Sequence, residues 1–437
     1  MAIDVVLGCQ AGDEGKGLVV DRIIEQGKYS IVGRYNGGAN AGHTLYYDGQ
    51  EIDVHQIPSG IAHSNTLNII GNGSLVDAAR LFEHEIPDLR AKGIVVSPKN
   101  LAISDTAHLV LPHHILLDEA REAGENGQGT TKMGIAFAAA DKYARKGVRA
   151  ELIIWKPEQL KKQILEGLAD ANAVLKAAGL EEKNPKIILK QWLGYIDELR
   201  PFLIDTVELL HERLDDGARV LAEGAQAVGL DIDQGIYPLG TSSHALTGGA
   251  MNGLGFGHSK IHRVVGVAKV IKSRVGGNGG PFVTEILNQS LANRLRGKRG
   301  DVDGEYGTTT GRPRNMGYLD IPELRRAKRV AGLTELALTK VDLIPRFGST
   351  FKIAVAYKMD GKRLDMTPNS ATKLEHCTVE YVKLPTWKQD ISGVRKFKDL
   401  PVEAQNFIDF IEEQVGVPVT MIGVGPSREQ AIIRPVK

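Results

Sequence analysis

Cysteine is nearly missing from this chain: its 437 residues include two, Cys9 and Cys377. Two thiols so far apart build no disulfide framework, and a reducing compartment fits them. A surplus of one charge is missing as well. The 54 basic residues stand against 53 acidic ones, net +1, so the basic excess of a nucleic-acid binder is lacking. No apolar run approaches the ~18 residues of a membrane span. Met1 to Leu7 carries Asp4 and no basic segment, so no secretory signal is expected. Internal repeats and low-complexity linkers are absent too. These absences leave a soluble, cytoplasmic globular protein, expected as one unit over 1–437 with a core of good size.

Glycine is what the chain has in plenty. Its 50 glycines gather at 8–17, 33–42, 224–257, 275–280 and 307–317. Such patches, separated by periodic sequence, read as loops where backbone must approach something closely. Several of them suggest one elaborate site at the strand ends of an open α/β sheet. The β-branched runs Val5 to Leu7, Leu67 to Ile70, Val220 to Ala222, Val264 to Val270 and Leu336 to Leu338 predict buried parallel strands. Helical spacing predicts helices over Leu116 to Ala123 and Glu158 to Ala178, another opened by Pro322 and ended by Gly332, and a last over Pro401 to Val415. Residues 100–210 are poor in strand signals and read as a helical subdomain inserted into a large, mostly parallel sheet.

The first glycine patch holds Gly12-Asp13-Glu14-Gly15-Lys16-Gly17 directly after a strand. Backbone N–H groups and Lys16 suit an anion, but two carboxylates there would repel phosphate. They suggest a metal ligand, a general base, or both. The run is not a Walker A element. Gln10 stands where that motif has glycine, and Gly17 where it has Ser or Thr. With the hydroxyl that would hold Mg²⁺ missing, Asp13 is the obvious substitute.

Further blocks carry chemistry. The loop Asn36 to Thr44 sets His43 among glycines, where an imidazole of ordinary pKa would donate a proton near neutrality. Leu336 to Asp342 is a strand ending in T-K-x-D. One carboxylate accepts both adjacent guanine donors, N1–H and the 2-amino group, so Asp342 discriminates for guanine, while the Lys340 stem can cover the purine. Thr308, Thr309, Thr310, Gly311, Arg312 and Arg314 offer hydroxyls and bidentate forks to a carboxylate-rich ligand. Glu223-Gly224-Ala225-Gln226 and Thr241-Ser242-Ser243 offer amides and hydroxyls to a purine edge or a phosphate. Gly423-Val424-Gly425-Pro426 is a tight apolar turn that could wall a base.

In this order, these blocks closely resemble the adenylosuccinate synthetase family along nearly the whole chain. The matches are G-D-E-G-K-G at 12–17, N-A-G-H-T at 40–44, G-T-T at 129–131, A-R at 144–145, E-G-A-Q at 223–226, T-S-S at 241–243, T-T-G-R-x-R at 309–314, T-K-x-D at 339–342 and G-P at 425–426. The resemblance implies a P-loop-NTPase-like α/β fold and a GTP-dependent ligase that joins L-aspartate to IMP, giving adenylosuccinate, GDP and phosphate. It implies Asp13 as the base at N1, His43 as the donor to O6 and Gln226 as a third catalytic residue. Mg²⁺ would be held by Asp13 and the Gly42 carbonyl. GTP would meet Gly12, Glu14, Gly15, Lys16, Gly17, Gly42, Thr44, Arg314, Lys340, Val341, Asp342, Gly423, Val424 and Gly425. IMP would meet Asp13, Lys16, Asn40, Ala41, His43, Thr131, Arg145, Gln226, Thr241 and Arg312. Aspartate would meet Thr308 to Arg312. Arg145 would arrive from a neighbouring subunit, which implies a homodimer.

The chain departs from the family at several places. Ala11 stands where tryptophan is usual, and Leu18 where a second lysine is. The usual G-T-T-G-R-G-I-G-P run reads Gly129-Thr130-Thr131-Lys132-Met133-Gly134-Ile135-Ala136-Phe137. Asn315 ends a thinned arginine run, the turn Val275 to Pro281 is long, and Gly423 replaces a frequent serine. The catalytic pair is untouched, while the loop beside the monophosphate is rewritten. Two alternatives therefore stand beside IMP ligation: a ligase for another 6-oxopurine nucleotide of the GMP or dGMP type, and a guanine-nucleotide switch without ligase activity.

Overall fold

A computed structural model describes residues 2–27, 29–124, 130–275, 282–307 and 311–435. Its centre is a ten-stranded sheet. In chain order the strands are β1 (Ile3–Gly8), β2 (Ile31–Arg34), β3 (Leu67–Ile70), β4 (Leu101–Ser104), β5 (Leu203–Ile204), β6 (Val220–Glu223), β7 (Ile261–Lys269), β8 (Glu335–Thr339), β9 (Val419–Gly423) and β10 (Ala431–Ile433). Across the sheet the order is β10-β9-β8-β7-β1-β6-β2-β3-β4-β5. All neighbours run parallel except β10, which returns antiparallel to β9. The five predicted runs are β1, β3, β6, β7 and β8.

Both faces of the sheet are covered, as parallel pairing requires. Strand β1 shows why: Ile3, Val5 and Leu7 enter one core, and Val6 enters the other, following the two-residue period of a strand. On the Val6 side, the helix Lys16–Gln26 lays Val19, Val20, Ile23 and Ile24 against the sheet. Each such apolar side chain contributes about 1.5–3 kcal/mol on burial.

The segment 100–210 carries the helices Pro112–Ala123, Ile135–Tyr143, Pro157–Ala177, Pro185–Leu199 and Thr206–Asp215. In the longest of them, Leu160, Ile164, Leu168, Ala171 and Leu175 form the buried stripe of an amphipathic helix. The two ends of the segment, β4 and β5, pair with each other at one edge of the sheet. The first four of these helices lie between β4 and β5 in the chain and so interrupt no strand order. The predicted later helices are observed at Ile321–Ala331, closed by left-handed Gly332, and at Val402–Val415. No helix among the described residues is long and apolar enough to cross a membrane.

Candidate active site

Parallel strands place their C-terminal ends on one edge, and ligands of open α/β sheets bind there. Strands β1, β2, β6, β7, β8 and β9 end at Gly8, Arg34, Glu223, Lys269, Thr339 and Gly423. The sequence blocks at 12–17, 36–44, 223–226, 339–342 and 423–426 lie at or just past five of these ends.

The loop after β1 is held by its own acid. Glu14 is buried, accepts from the backbone N–H groups of Gln10 (3.1 Å) and Gly12 (2.8 Å), and pairs with Lys16 at 2.7 Å. Its carboxylate therefore faces into the loop, which leaves the backbone of Glu14 for a ligand. Thr339 Oγ1 donates to the Glu14 carbonyl at 2.7 Å and fastens the loop to β8. Asp13 stands exposed at the tip with φ +59°, between Gly12 at +89° and Gly15 at +85°. Its Oδ2 takes Arg314 at 2.9 Å. Gly17 packs directly on His43: a Cβ added there would stand 2.8 Å from the His43 Cβ and 3.3 Å from the Thr44 carbonyl. This close approach is why a Walker A hydroxyl has no room at position 17.

His43 opens the short hairpin His43–Tyr47/Gln50–Val54. Its Nδ1 lies 2.5 Å from Glu223 Oε1, and its Nε2 lies 3.3 Å from the Arg34 guanidinium. Glu223 is fully buried at the end of β6, pairs with Arg34 at 3.3 Å and accepts from the Ser59 N–H (2.7 Å) and hydroxyl (2.6 Å). Burial opposes its charge, yet Arg34, His43 and Ser59 together bring its pKa down to about 2. For His43, burial first and the Arg34 charge second outweigh Glu223 and lower its pKa to about 4. The ordinary pKa expected from sequence is thus corrected: without ligand the imidazole is neutral, with Nδ1–H donating to Glu223.

Beside His43, Asn36 ties the loop after β2 to the loop after β6. Its Nδ2 donates to Ser243 Oγ at 2.8 Å, and its Oδ1 accepts from the Ala225 N–H at 2.8 Å. Gln226 adopts φ +58°. Two buried polar atoms here, Asn40 Oδ1 and Gln226 Nε2, have no hydrogen-bond partner among the described residues. Buried polar groups are normally paired, so these two are suited to a ligand. The Thr44 hydroxyl is committed to Asp53 at 2.5 Å. Thr241 is tied by its backbone, its N–H donating to the Leu230 carbonyl at 2.7 Å.

On the far side, Lys340 adopts φ +60° and opens a 3₁₀ turn carrying Val341 and half-buried Asp342. Burial raises the Asp342 carboxyl, partly offset by its own N–H and Lys340. Arg22, buried in the helix after the first loop, donates to the carbonyls of Gly425, Ser427, Arg428 and Gln430 and so shapes the turn after Gly423. Arg314 joins Asp13 to Glu305, at 2.9 and 2.8 Å. Gly311 and Arg312 stand half-buried beside it, whereas Thr308, Thr309 and Thr310 lie outside the described residues, as do Gly129 and most of the turn Val275 to Pro281.

Two further expected residues flank the helix Ile135–Tyr143. Arg145 is exposed, with φ +61°, just past the helix Ile135–Tyr143. Thr131 is half-buried in a loop anchored by Asp118, which accepts from the Thr130 hydroxyl and the Gly134 N–H, each at 3.0 Å. In the rewritten part of that loop, Phe137 takes the Arg121 guanidinium over its ring at 4.9 Å. Sequence reasoning missed Arg34, Lys269 and Glu305 altogether and gave Glu223 no role. For Arg34, Lys269 and Glu223 the available signal was a charge at the end of an apolar strand; Glu305 offered none.

The family model described as adenylosuccinate synthetase matches residues 5–432. The adenylosuccinate synthetase of Listeria welshimeri is 45% identical over 433 residues, covering 98% of this chain and 97% of the relative. That of Brevibacillus brevis is 42% identical over 439 residues, with 99% of each covered. The fully ligated adenylosuccinate synthetase of Plasmodium falciparum superposes over 100% of both chains with TM-score 0.89 and 33% identity. The cyanophage S-2L succinoaminodeoxyadenylate synthetase, solved with dGMP and dATP, shares the fold at TM-score 0.63 and 19% identity, covering 100% of this chain and 96% of that one.

Proposed function

This chain belongs to the adenylosuccinate synthetase family, and on that premise we propose how its residues divide the work. The enzyme is a GTP-dependent carbon–nitrogen ligase that joins L-aspartate to C6 of IMP, yielding adenylosuccinate, GDP and phosphate. Identity of 42–45% over the whole chain favours IMP above the guanine-nucleotide alternative and above a switch without ligase activity.

The purine O6 is a poor leaving group, and the residues answer that difficulty. Asp13 takes the proton from N1, so charge moves onto O6, which attacks the γ-phosphorus of GTP. His43 donates to O6 from Nε2 and stabilises the developing charge. In the neutral form Nε2 carries no proton, so donation needs the imidazolium, which the negative charge of a bound polyphosphate favours. Aspartate's amine then displaces the 6-phosphoryl group. Asn40 Oδ1 and Gln226 Nε2 gain the partners they lack. Lys16 leaves Glu14 to meet phosphate oxygens, Asp342 reads guanine, and residues 308–312 hold aspartate.

Mg²⁺ fits the donor set, because Asp13 offers an exposed hard carboxylate at the loop tip, and Mg²⁺ in such sites uses few protein ligands. Asp13 and the Gly42 carbonyl would hold it, and it would neutralise phosphate charge. We assign a homodimer in which exposed Arg145 serves the neighbouring site. Two buried free thiols, Cys9 and Cys377, support a cytoplasmic location.

One observation carries this reading. A single loop offers exposed Asp13 at its tip and, at Gly17, packs on a glutamate-held histidine with unpartnered polar atoms nearby. The test supplies Mg²⁺, GTP and aspartate with IMP, dIMP, GMP or dGMP and follows products by mass. Adenylosuccinate from IMP is expected, and product from a guanine nucleotide alone would overturn the assignment. Asp13→Asn keeps the loop's shape and removes the base, so turnover falls about 10²–10⁴-fold; near-normal turnover would exclude the proton transfer.

A further inference from the structure

Three cations from three segments converge on Glu305, a residue that is 1% exposed. Lys269, the last residue of β7, donates to Oε2 at 2.9 Å, and Arg314 reaches the same oxygen at 2.8 Å. Ser273 Oγ donates there as well, at 2.7 Å. Lys340, the first residue after β8, donates to Oε1 at 2.5 Å. Burial would raise this carboxyl, but Lys269, Lys340 and Arg314 hold it well below the usual range.

The position of Glu305 matters as much as its partners. Glu305 and Arg314 form the stem of the loop 306–313: the Arg314 N–H donates to the Glu305 carbonyl at 3.0 Å, and Tyr306 and Pro313 pair across it. Arg314 then reaches Asp13 at 2.9 Å with its other nitrogen. Lys340 stands two residues before Asp342. The side chains thus run unbroken from the guanine-reading turn through Lys340, Glu305 and Arg314 to Asp13. Three cations against two carboxylates leave one positive charge in excess, which suits an incoming phosphoryl group.

We infer that Glu305 is a positioning residue that couples guanine recognition to the reacting centre, fixing Lys340 with one carboxylate oxygen and Arg314 with the other. Engagement of the base at Asp342 then sets where Arg314 stands relative to Asp13. The inference rests on the roles proposed above for Asp13 and Asp342. A carboxylate serving only to neutralise Lys269 would make no connection between nucleotide identity and turnover.

Full-length enzyme and its Glu305→Gln variant are compared with GTP and with ITP, which lacks the 2-amino donor to Asp342. In the unaltered enzyme, ITP lowers kcat as well as raising KM. Glu305→Gln lowers kcat with GTP at least about 10-fold, leaves KM for IMP within about 2-fold, and abolishes the kcat difference between the donors. Equal losses with both donors, or a donor swap that changes KM alone in the unaltered enzyme, would overturn the coupling. Should Glu305→Gln not fold, Ser273→Ala removes one hydrogen bond to the same carboxylate and keeps every charge. It is expected to narrow the donor difference in kcat at least about 3-fold, and an unchanged difference overturns the inference. Asp13→Asn separates the two levels: if it is inactive while donor effects are additive, only the coupling is wrong; if it is active, the base assignment is wrong.

Discussion

His43 has two ring nitrogens, and their partners decide what it can do. Nδ1 is fixed on Glu223, while Nε2 faces Arg34 and the site. Glu223 therefore sets both the tautomer and the direction of Nε2. Replacing it by Gln leaves the buried Arg34 guanidinium without its carboxylate, a loss of about 3–5 kcal/mol. The pH dependence follows from the sign of the shift. The Glu223 carboxyl titrates at about 2 in the folded chain against an ordinary 4.5, so its contribution is complete above 4.5 and fades as pH falls toward 2. Thermal melts of Glu223→Gln and the unaltered protein should lie far apart at neutral pH and converge below pH 4.5. A gap that stays constant with pH would remove the assigned cause.

At the scale of elements, the loop after β1 and the hairpin bearing His43 are one packing unit, joined at Gly17. Gly17→Ala forces a Cβ to within 2.8 Å of the His43 Cβ, an atom close to the backbone and unable to swing aside. Overpacking of this kind costs about 1–3 kcal/mol, and a displacement near 1 Å at a reacting group can cost about 10²-fold in rate. The variant should stay folded, with Tm lowered by a few degrees, and lose kcat far more than its affinity for GTP. Unaltered kcat would mean that the hairpin slides freely on the loop. The same elements show what was legible in advance. Five strands could be read from β-branched runs, and the glycine patches marked the loops at their ends. The remainder was hidden because charge interrupts an apolar pattern. The run read from Val220 stops at Ala222, one residue short of Glu223, and Ile31–Arg34 was passed over because it contains Gly33 and Arg34. Periodicity counts such residues as outside a strand, yet in this sheet they are the buried strand ends from which the site is built. Glu305 had no pattern at all, since its four partners come together only through the fold.

At the scale of the whole molecule, Arg145 is the residue that a single chain does not account for. It lies exposed beyond the helix Ile135–Tyr143, with a left-handed backbone that turns the chain sharply there, while Asp13, Lys16, Asn40, His43 and Gln226, also expected at IMP, stand on the segments that follow the strand ends. If it serves the neighbouring site, two different inactive chains can repair each other. Asp13→Asn and Arg145→Leu are each expected to be inactive as pure homodimers. In a mixed dimer, one site combines both lesions and the other combines an intact Asp13 with an intact Arg145 from its partner. Random exchange places half of the chains in such pairs, so the mixture should recover about one quarter of unaltered turnover. The recovery should grow with incubation time as subunits exchange and should vanish when a cross-link fixes each homodimer before mixing. Two inactive preparations that stay inactive together, while sedimentation shows that they do exchange, would return Arg145 to its own chain and end the shared-site assignment.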